Sequence, residues 1–300
     1  MQADTTEELN TELEQLAQFA QAHPRLLILT GAGVSLASGI PTYRDREGVW
    51  QGGPPMQHPD FIRHAAVRQR YWARSFIGRA TIAQAQPNPA HDALARLEQA
   101  GRVQLLITQN VDNLHQRAGS QHVVDLHGNL QQVICLDCGA HSSRDAMQER
   151  LAATNPQLLG LSAESRPDGD ALLQDEQIRQ VTSPACTVCG GVLMPDVVFF
   201  GGTVPKQRVD YCLQQLQQAD ALLAVGSSLK VYSGFRFCLR AQEWGKPIAL
   251  INPGRTRADE LATLHLRAPC GALLTGLLEY LRLLPGAATQ HQHHQTIGFR

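Results

Sequence analysis

The sequence contains no apolar run approaching the ~20 residues of a membrane-spanning helix, so an integral helical membrane protein is excluded. It also lacks a charge excess. Its 26 Lys and Arg stand against 27 Asp and Glu, for a formal net charge of −1, which leaves no broad electropositive face for direct nucleic-acid binding. The N-terminus is acidic and not arginine-rich, unlike a signal or transit peptide, and the expectation is a soluble cytoplasmic protein. No internal repeat stands out, and no disulfide framework is suggested. Of seven cysteines, four fall in two C-x-x-C pairs, while Cys212, Cys238 and Cys270 lie scattered among apolar neighbours. A reducing compartment with a bound metal fits that usage better than disulfides do.

What is present is a chain of 300 residues, long enough for one large domain with a satellite or for two domains sharing a cleft. Four short apolar runs, "RLLILTGAG", "VQLLITQN", "ALLAVGSSL" and "KPIALINPG", each close on polar residues or glycine, as buried parallel strands do. Helical patterns occupy residues 5–22, 88–100, 205–219, 233–244 and 271–284. Strand–helix alternation implies an α/β protein with a Rossmann-like, doubly wound parallel sheet, a smaller zinc-binding domain and a helical module. The expected organisation is an N-terminal helix at 1–21 and a discontinuous sheet domain at 22–47, 101–132 and 193–286. A helical module at 48–100, a zinc-ribbon domain at 133–192 and a polar, histidine-rich disordered tail at 287–300 complete it.

Gly31-Ala32-Gly33 directly follows the first apolar run, where backbone N–H groups approach a pyrophosphate and the next helix adds its dipole. The usual dinucleotide fingerprint would place its third glycine at Leu36, and the sequence offers Gly39 instead. No acidic residue closes the second run to grip an adenosine ribose. A Rossmann-like fold is indicated, but hydride transfer is not. Cys135-Leu-Asp-Cys138 and Cys186-Thr-Val-Cys189 have the turn spacing that places two thiolates each on one tetrahedral ion, and each pair is followed by glycine. Four buried or redox cysteines do not account for two such matched knuckles. Four thiolates fill the sphere of one Zn²⁺, so the ion is structural and keeps no open position for water. Gln109, Asn110 and Asp112 end a buried strand, where carboxamides and a carboxylate converge on a ligand. His127, taken alone, fits a satisfied structural histidine better than a catalytic one.

Taken together, "GAGVSLASGIPTYR", "TQNVD", "LHGNL", the paired C-x-x-C, "PDVVFFG", "GSSL" and "INPG" resemble, in order and approximate spacing, the sirtuins, NAD-dependent protein deacylases. "RQRYWAR", "QPNPAH", "CLDCG", "RPDGD", "VYSGFRF" and "CGALL" resemble the class II branch in particular, as in a bacterial member of it. The resemblance implies NAD as co-substrate, one structural Zn²⁺ and acyl-lysine proteins or peptides as partners. In that family the acyl-lysine oxygen attacks the nicotinamide ribose, nicotinamide leaves as an alkylimidate forms, and a histidine base then activates the ribose hydroxyls. By this resemblance His127 is the base, and Ile40, Asn110, Val111 and Asp112 line the nicotinamide pocket, Asp112 accepting from the carboxamide. Gln109 binds ribose hydroxyls. Gly31, Ala32, Gly33, Ser35 and Arg44 cradle the phosphates, with Gly226, Ser227 and Ser228 closing from another strand end. Tyr43 shields the reacting ribose face, Asn252, Pro253 and Gly254 lie at the adenosine ribose, and Cys270 sits beside the adenine. Val198, Phe199, Phe200 and Gly201 pair with an added substrate strand, which supplies affinity with little sequence preference.

Some features remain open. Thr42 stands where the family commonly has an acidic residue after "GIP". Tyr71 and Arg74 form a Y-x-x-R pair similar to the one that holds a carboxylated acyl group in desuccinylating sirtuins. The competing reading of that pair is one packed tyrosine and one solvated arginine. The segment 139–185 is longer than a minimal zinc ribbon requires, and either sends a loop toward the active site or is a surface excursion. The branch resemblance also raises lipoamidase activity, and the alternative to deacylation is protein mono-ADP-ribosyl transfer. A non-enzymatic NAD-sensing or acyl-lysine-binding module is disfavoured by the presence of both His127 and Asp112, because binding alone needs no base.

Overall fold

A computed structural model describes residues 2–45, 49–51, 55–161 and 175–283. The "RPDGD" stretch and the histidines of the tail lie outside the described residues. Leu26–Thr30 (β1) is buried along its whole length. Strand alternation sends its side chains to two different cores: Leu26 and Ile28 pack into one, Leu27 and Leu29 into the other. Such a strand needs cover on both faces, and parallel strands with helices on each side provide it. Val103–Thr108 (β2), Ala221–Val225 (β7) and Ile248–Ile251 (β8) behave alike. Val123–Asp125 (β3) and Leu264–Leu266 (β9) extend the edges, giving the order β3-β2-β1-β7-β8-β9, parallel throughout. The strand order reverses between β1 and β7, and ligands of open α/β sheets bind at that point. β3 and β9 escape sequence reading because each is three residues long and offers no apolar run.

One face is covered by Gln2–Ala22 (α1), Pro89–Gln99 (α4) and Cys270–Tyr280 (α10), through Leu16, Leu94, Leu97, Leu273 and Leu277. The other is covered by Lys206–Gln218 (α8) and Tyr232–Glu243 (α9), through Cys212, Leu216, Phe237 and Cys238. Each such buried apolar side chain contributes about 1.5–3 kcal/mol. The sequence reading grouped residues 89–99 with the helical module, but α4 packs on the large sheet. It presents Ala90, Ala93, Leu94 and Leu97 to the same core as α10.

His58–Arg63 (α2) and Ala65–Gln84 (α3) do not stand apart either. Phe61, Tyr71 and Trp72 share one core with Cys186 and with Val133, Cys135 and Met194 of a second sheet. That sheet is antiparallel, formed by Gly128–Cys135 (β4), His141–Ser143 (β5) and Leu193–Val197 (β6) in the order β5-β4-β6. The described part of the long segment between the cysteine pairs also holds Arg144–Thr154 (α6), a 3-10 turn at Pro156–Leu158 and Asp175–Arg179 (α7). The one-turn helix Leu114–Arg117 (α5) follows β2. Among the described residues no helix is long and apolar enough to cross a membrane.

Asn88 caps α4 by accepting from the Ala90 N–H at 2.9 Å, and His91 completes the capping box, its Nδ1 accepting from the Asn88 N–H at 3.3 Å. His91 is fully buried against His115, ring centroids 4.7 Å apart, and burial lowers its pKa from 6.5 to about 4. The unfolded chain therefore binds a proton between pH 6.5 and about 4 that the folded chain refuses, so stability falls as pH drops through that window. His91→Gln keeps the capping box without the titration. Thermal melts at pH 7 and pH 5 are expected to show a smaller acid-induced loss in this variant, by about 2 kcal/mol. Equal loss in both proteins would contradict the assignment.

Candidate active site and metal centre

The carboxyl ends of β1, β2 and β7 open into a cleft of about 1610 Å³, larger than the ~300–1,000 Å³ of most small-ligand sites. Its lining carries five cations, Arg44, Lys230, Arg236, Arg255 and Arg267, against the carboxylates of Glu8, Asp45 and Asp112. That excess suits a diphosphate, and the volume accommodates a dinucleotide together with part of a peptide. Every sequence-selected nucleotide residue, Gly31, Ala32, Gly33, Ser35, Ile40, Tyr43, Arg44, Gln109, Asn110, Val111, Asp112, Gly226, Ser227, Ser228, Asn252, Pro253, Gly254 and Cys270, lines this cleft.

The glycines do something other than what the motif suggests. The Gly31 N–H donates to Val225 C=O at 3.1 Å and the Gly33 N–H to Gly226 C=O at 2.8 Å, so neither is free for a phosphate. A Cβ on Gly31 would stand 2.7 Å from Ser227 Cβ, one on Gly33 would stand 2.8 Å from Gly226 O, and one on Gly226 (φ +61°) would stand 2.4 Å from Val34 N. These three glycines let two strand-end loops touch backbone to backbone. The seven-residue 3-10 helix Ala32–Ser38 follows in place of an α-helix.

Beneath the cleft, Ser35 Oγ donates to Asp112 Oδ2 at 2.6 Å while accepting from Asn110 Nδ2 at 3.0 Å, and Asn110 Nδ2 also reaches Gly31 C=O at 3.1 Å. All three side chains are buried. The Leu114 N–H donates to Asp112 Oδ1 at 3.0 Å across Asn113, which sits in the left-handed region at φ +66°. Burial raises the Asp112 pKa against the lowering effect of Ser35 and Leu114. Gln109 Nε2 donates to Ser227 Oγ at 2.8 Å and to Thr30 C=O at 3.1 Å, tying β1, β2 and β7 together.

His127 sits between β3 and β4, where the chain passes from the large sheet to the small one. Its Nδ1 lies 2.9 Å from Gln109 C=O and its Nε2 lies 2.7 Å from Ser233 Oγ. Burial lowers its pKa, the Gln109 bond acts the other way, and Arg208 and Arg236 lower it further. The ring is therefore neutral near pH 7, with one nitrogen basic. Ser233, Arg236 and Trp50 also line the cleft, and sequence reading did not select them. A serine inside a helical pattern gives no signal until its neighbours in space are known.

On the substrate side, Val198, Phe199, Phe200, Gly201 and Tyr71 line the cleft. Tyr71 packs edge-to-face on Phe61 and Phe199 with centroids 5.5 and 5.2 Å away. Arg74 lies on α3 but is not among the lining residues, so the Y-x-x-R pair is split. Tyr43 stacks near Trp50 at 5.5 Å, and the Arg44 guanidinium lies 5.1 Å over the Trp50 ring. Thr42 Oγ1 donates to Arg44 C=O at 2.7 Å, turning the hydroxyl onto the loop's own backbone.

At the far end of the small sheet, the sulfurs of Cys135, Cys138, Cys186 and Cys189 all lie within 4.8 Å of one another. The pairs Cys135–Cys189 and Cys138–Cys186 are 3.6 and 3.8 Å apart, against ~3.8 Å for the edge of a tetrahedron with Zn–S bonds of ~2.3 Å. Gly139 and Gly190, at φ +73° and +77°, close the two knuckles by donating to Cys135 C=O and Cys186 C=O. Backbone N–H groups of Cys189 and Val188 lower the Cys186 pKa to about 7. Cys189 is pushed up to about 12, its bond from Gly191 outweighed by its thiol neighbours. Cys186 gives up its proton easily and Cys189 resists doing so, a resistance that a bound dication offsets. These cysteines are positioned to bind one zinc ion.

A doubly wound sheet with a cationic cleft at its switch point and a four-cysteine knuckle pair defines a nucleotide-binding α/β protein with a structural metal module. The family model described as Sir2 family matches residues 31–233, and the chain belongs to that family. It is 49% identical over 264 residues to an NAD-dependent protein deacetylase of Bordetella bronchiseptica, covering 88% of this chain and 96% of that protein. It is 48% identical over 266 residues to the human NAD-dependent protein lipoamidase sirtuin-4, mitochondrial, covering 88% of this chain and 85% of that protein. Among solved structures, a Sir2 homolog–NAD complex matches with TM-score 0.68 at 32% identity, covering 90% of this chain and 93% of that one. A complex of Sir2 with a peptide and NAD+ matches with TM-score 0.70 at 26% identity, covering 91% and 99%.

Cys135→Ser or Cys189→Ser is expected to reduce bound zinc from one ion per chain, measured by elemental analysis, and to lower the melting temperature. Structural zinc sites contribute on the order of 10 kcal/mol to folding. Full stability in a protein shown to be metal-free would contradict a structural zinc.

Proposed function

We propose that the protein is an NAD-dependent protein-lysine deacylase that transfers the acyl group of a modified lysine to ADP-ribose and releases nicotinamide. The observation that carries this is the convergence, in one cleft, of the buried Asn110–Ser35–Asp112 network beyond β2 with a neutral His127 beyond the neighbouring strand β3. A passive nucleotide sensor would require no such base.

The roles of the chain's own residues follow from their chemistry. Asp112 and Asn110 hold the nicotinamide carboxamide, with Ile40 and Val111 excluding water from around it. Gln109 holds the ribose, and His127 Nε2 takes a proton from a ribose hydroxyl once the acyl oxygen has captured the anomeric carbon. With the N–H groups of Gly31 and Gly33 engaged elsewhere, the phosphates fall to Arg44 and the hydroxyls of Ser227 and Ser228. Asn252 takes the adenosine ribose, and Pro253, Gly254 and Cys270 border the adenine. Bound NAD supplies the electrophilic carbon. The acyl-lysine peptide adds a strand along residues 198–201, and the apolar side chains of Met56, Tyr71, Ile82, Leu130 and Phe199 favour an uncharged acyl chain. The carboxylated-acyl reading built on Arg74 is not supported by the lining.

The test is a panel of acetyl-, succinyl-, methylglutaryl- and lipoyl-lysine peptides with NAD+, reading nicotinamide release and products by mass spectrometry. Acyl-ADP-ribose in solution is expected, whereas stable label on protein would favour ADP-ribosyl transfer and no release with any peptide would refute the proposal. His127→Ala is expected to lose at least about 100-fold in turnover while retaining NAD+ affinity. Arg74→Ala is expected to leave the order of acyl preference unchanged, and a selective loss of succinyl or methylglutaryl turnover would restore the carboxylate reading.

A further inference from the structure

Ser233 Oγ stands 2.7 Å from His127 Nε2, and the opposite ring nitrogen, Nδ1, stands 2.9 Å from the Gln109 carbonyl. A carbonyl only accepts hydrogen bonds, so in the neutral ring the proton resides on Nδ1 and Nε2 presents its lone pair. The Ser233 hydroxyl is then the donor to that lone pair. The arrangement has the shape of a hydroxyl, a base and an orienting acceptor in a row.

The contact depends on how closely α9 approaches the end of β2. Ser233 is the second residue of α9, and Gly234 follows it. A Cβ on Gly234 would lie 2.4 Å from Gln109 Oε1 and 2.7 Å from its Cδ. A side chain there would have to displace the Gln109 carboxamide from its place against the helix start. Gln109 thus meets the pair twice, its carbonyl holding the imidazole and its side chain seating the helix that carries Ser233. Ser227 and Thr30 in turn pin that side chain.

We propose that Ser233 is a positioning residue for His127, holding Nε2 toward the cleft and serving as its hydrogen-bond partner in both protonation states. This rests on the reading of His127 as the general base. In the resting ring the hydroxyl donates to Nε2. A ribose hydroxyl entering the cleft takes over the Nε2 lone pair as the Ser233 hydroxyl rotates its own proton away; once Nε2 carries the ribose proton, Ser233 Oγ accepts from that Nε2–H, and the reverse rotation restores the resting state as the proton leaves.

The surroundings make such an acceptor matter. Arg208 on α8 and Arg236 one turn beyond Ser233 are the cations that act on the ring, and both disfavour its charged form. The carboxylates nearby are directed elsewhere. Asp125 on β3 accepts from Gln116 and Asn129 at 2.9 and 3.0 Å, and Asp196 on β6 lies 3.9 Å from His141. Ser233 Oγ is therefore the neutral acceptor available to the Nε2–H of an imidazolium that has no carboxylate beside it. Its removal makes His127 a weaker base.

The test uses the full chain with zinc bound and compares wild type with Ser233→Ala, Ser233→Thr, Ser233→Cys and His127→Ala. One readout is the pH dependence of turnover of acetyl- and lipoyl-lysine peptides. The second is the nitrogen NMR signal of the His127 ring, which does not require turnover. Ser233→Ala is expected to lose about tenfold in kcat, with KM for NAD+ changed less than about twofold and the acidic limb displaced to lower pH. Its ring is expected to titrate at lower pH than in wild type. Threonine, which keeps the hydroxyl, should restore most of the rate and the limb, and cysteine, a weaker partner, should fall between. Wild-type kcat, limb and ring signal in Ser233→Ala, with His127→Ala inactive, would overturn this inference alone. Equal losses in alanine and threonine with the ring titration unmoved would also overturn it, as a purely structural effect. Full activity in His127→Ala would instead overturn the general-base reading itself, and the ring titration would still report whether Ser233 holds the imidazole.

Discussion

The architecture depends on a backbone contact between the loops that follow β1 and β7. Gly33 donates to the carbonyl of Gly226 at 2.8 Å, and neither that bond nor the crossing beside Gly31 tolerates a Cβ. From this contact a continuous chain of hydrogen bonds leads to the chemistry. Ser227, just past Gly226, accepts from the Gln109 side chain; the Gln109 carbonyl holds His127 Nδ1; and the His127 carbonyl accepts from the Val198 N–H at 2.7 Å. The cleft floor, His127 and the chain at Val198 are thereby fixed relative to one another, so a displacement of one loop would be felt across the cleft.

The second anchor is the small sheet. His127 is the last residue before β4, and β4 ends at Cys135, a member of the four-sulfur cluster. Gly128, at φ +83°, crosses so close to β6 that a Cβ would fall 2.0 Å from Asp196 O. The imidazole is held by the large sheet through Gln109 and by the small sheet through its own chain. A metal held by the four cysteines would thus brace the small sheet that carries His127 at its start. The core that joins β4 and β6 to Phe61, Tyr71 and Trp72 extends that support to the helices bordering the substrate side.

Much of this was legible in the sequence, for identifiable reasons. Runs such as "LLILT" have one reading when every residue is apolar and the run ends in glycine. Two C-x-x-C-G knuckles likewise have one reading when both glycines adopt positive φ. Clefts at strand ends follow from topology, and Gln109, Asn110 and Asp112, read as closing a buried strand, line the cleft there. What escaped was whatever depends on which element lies opposite. The glycines of "GAG" were expected to offer their N–H groups to a phosphate, but a neighbouring loop takes them. Arg74 shares a helix with Tyr71, but the helix turns only one of them to the cleft. Residues 48–100 read as one module because periodicity cannot tell which sheet a helix will cover. β3 and β9 were too short to show any period, and Ser233 and Gly234 acquire meaning only against Gln109 and His127.

The central claim is that the acyl oxygen of a modified lysine is delivered directly to the anomeric carbon of the nicotinamide ribose. An acyl-lysine peptide carrying heavy oxygen in the amide carbonyl tests this directly, with the products resolved by mass spectrometry. The account expects the heavy oxygen in the ADP-ribose half of the acylated product. Its recovery in a free carboxylic acid, with ADP-ribose unlabelled, would contradict the account.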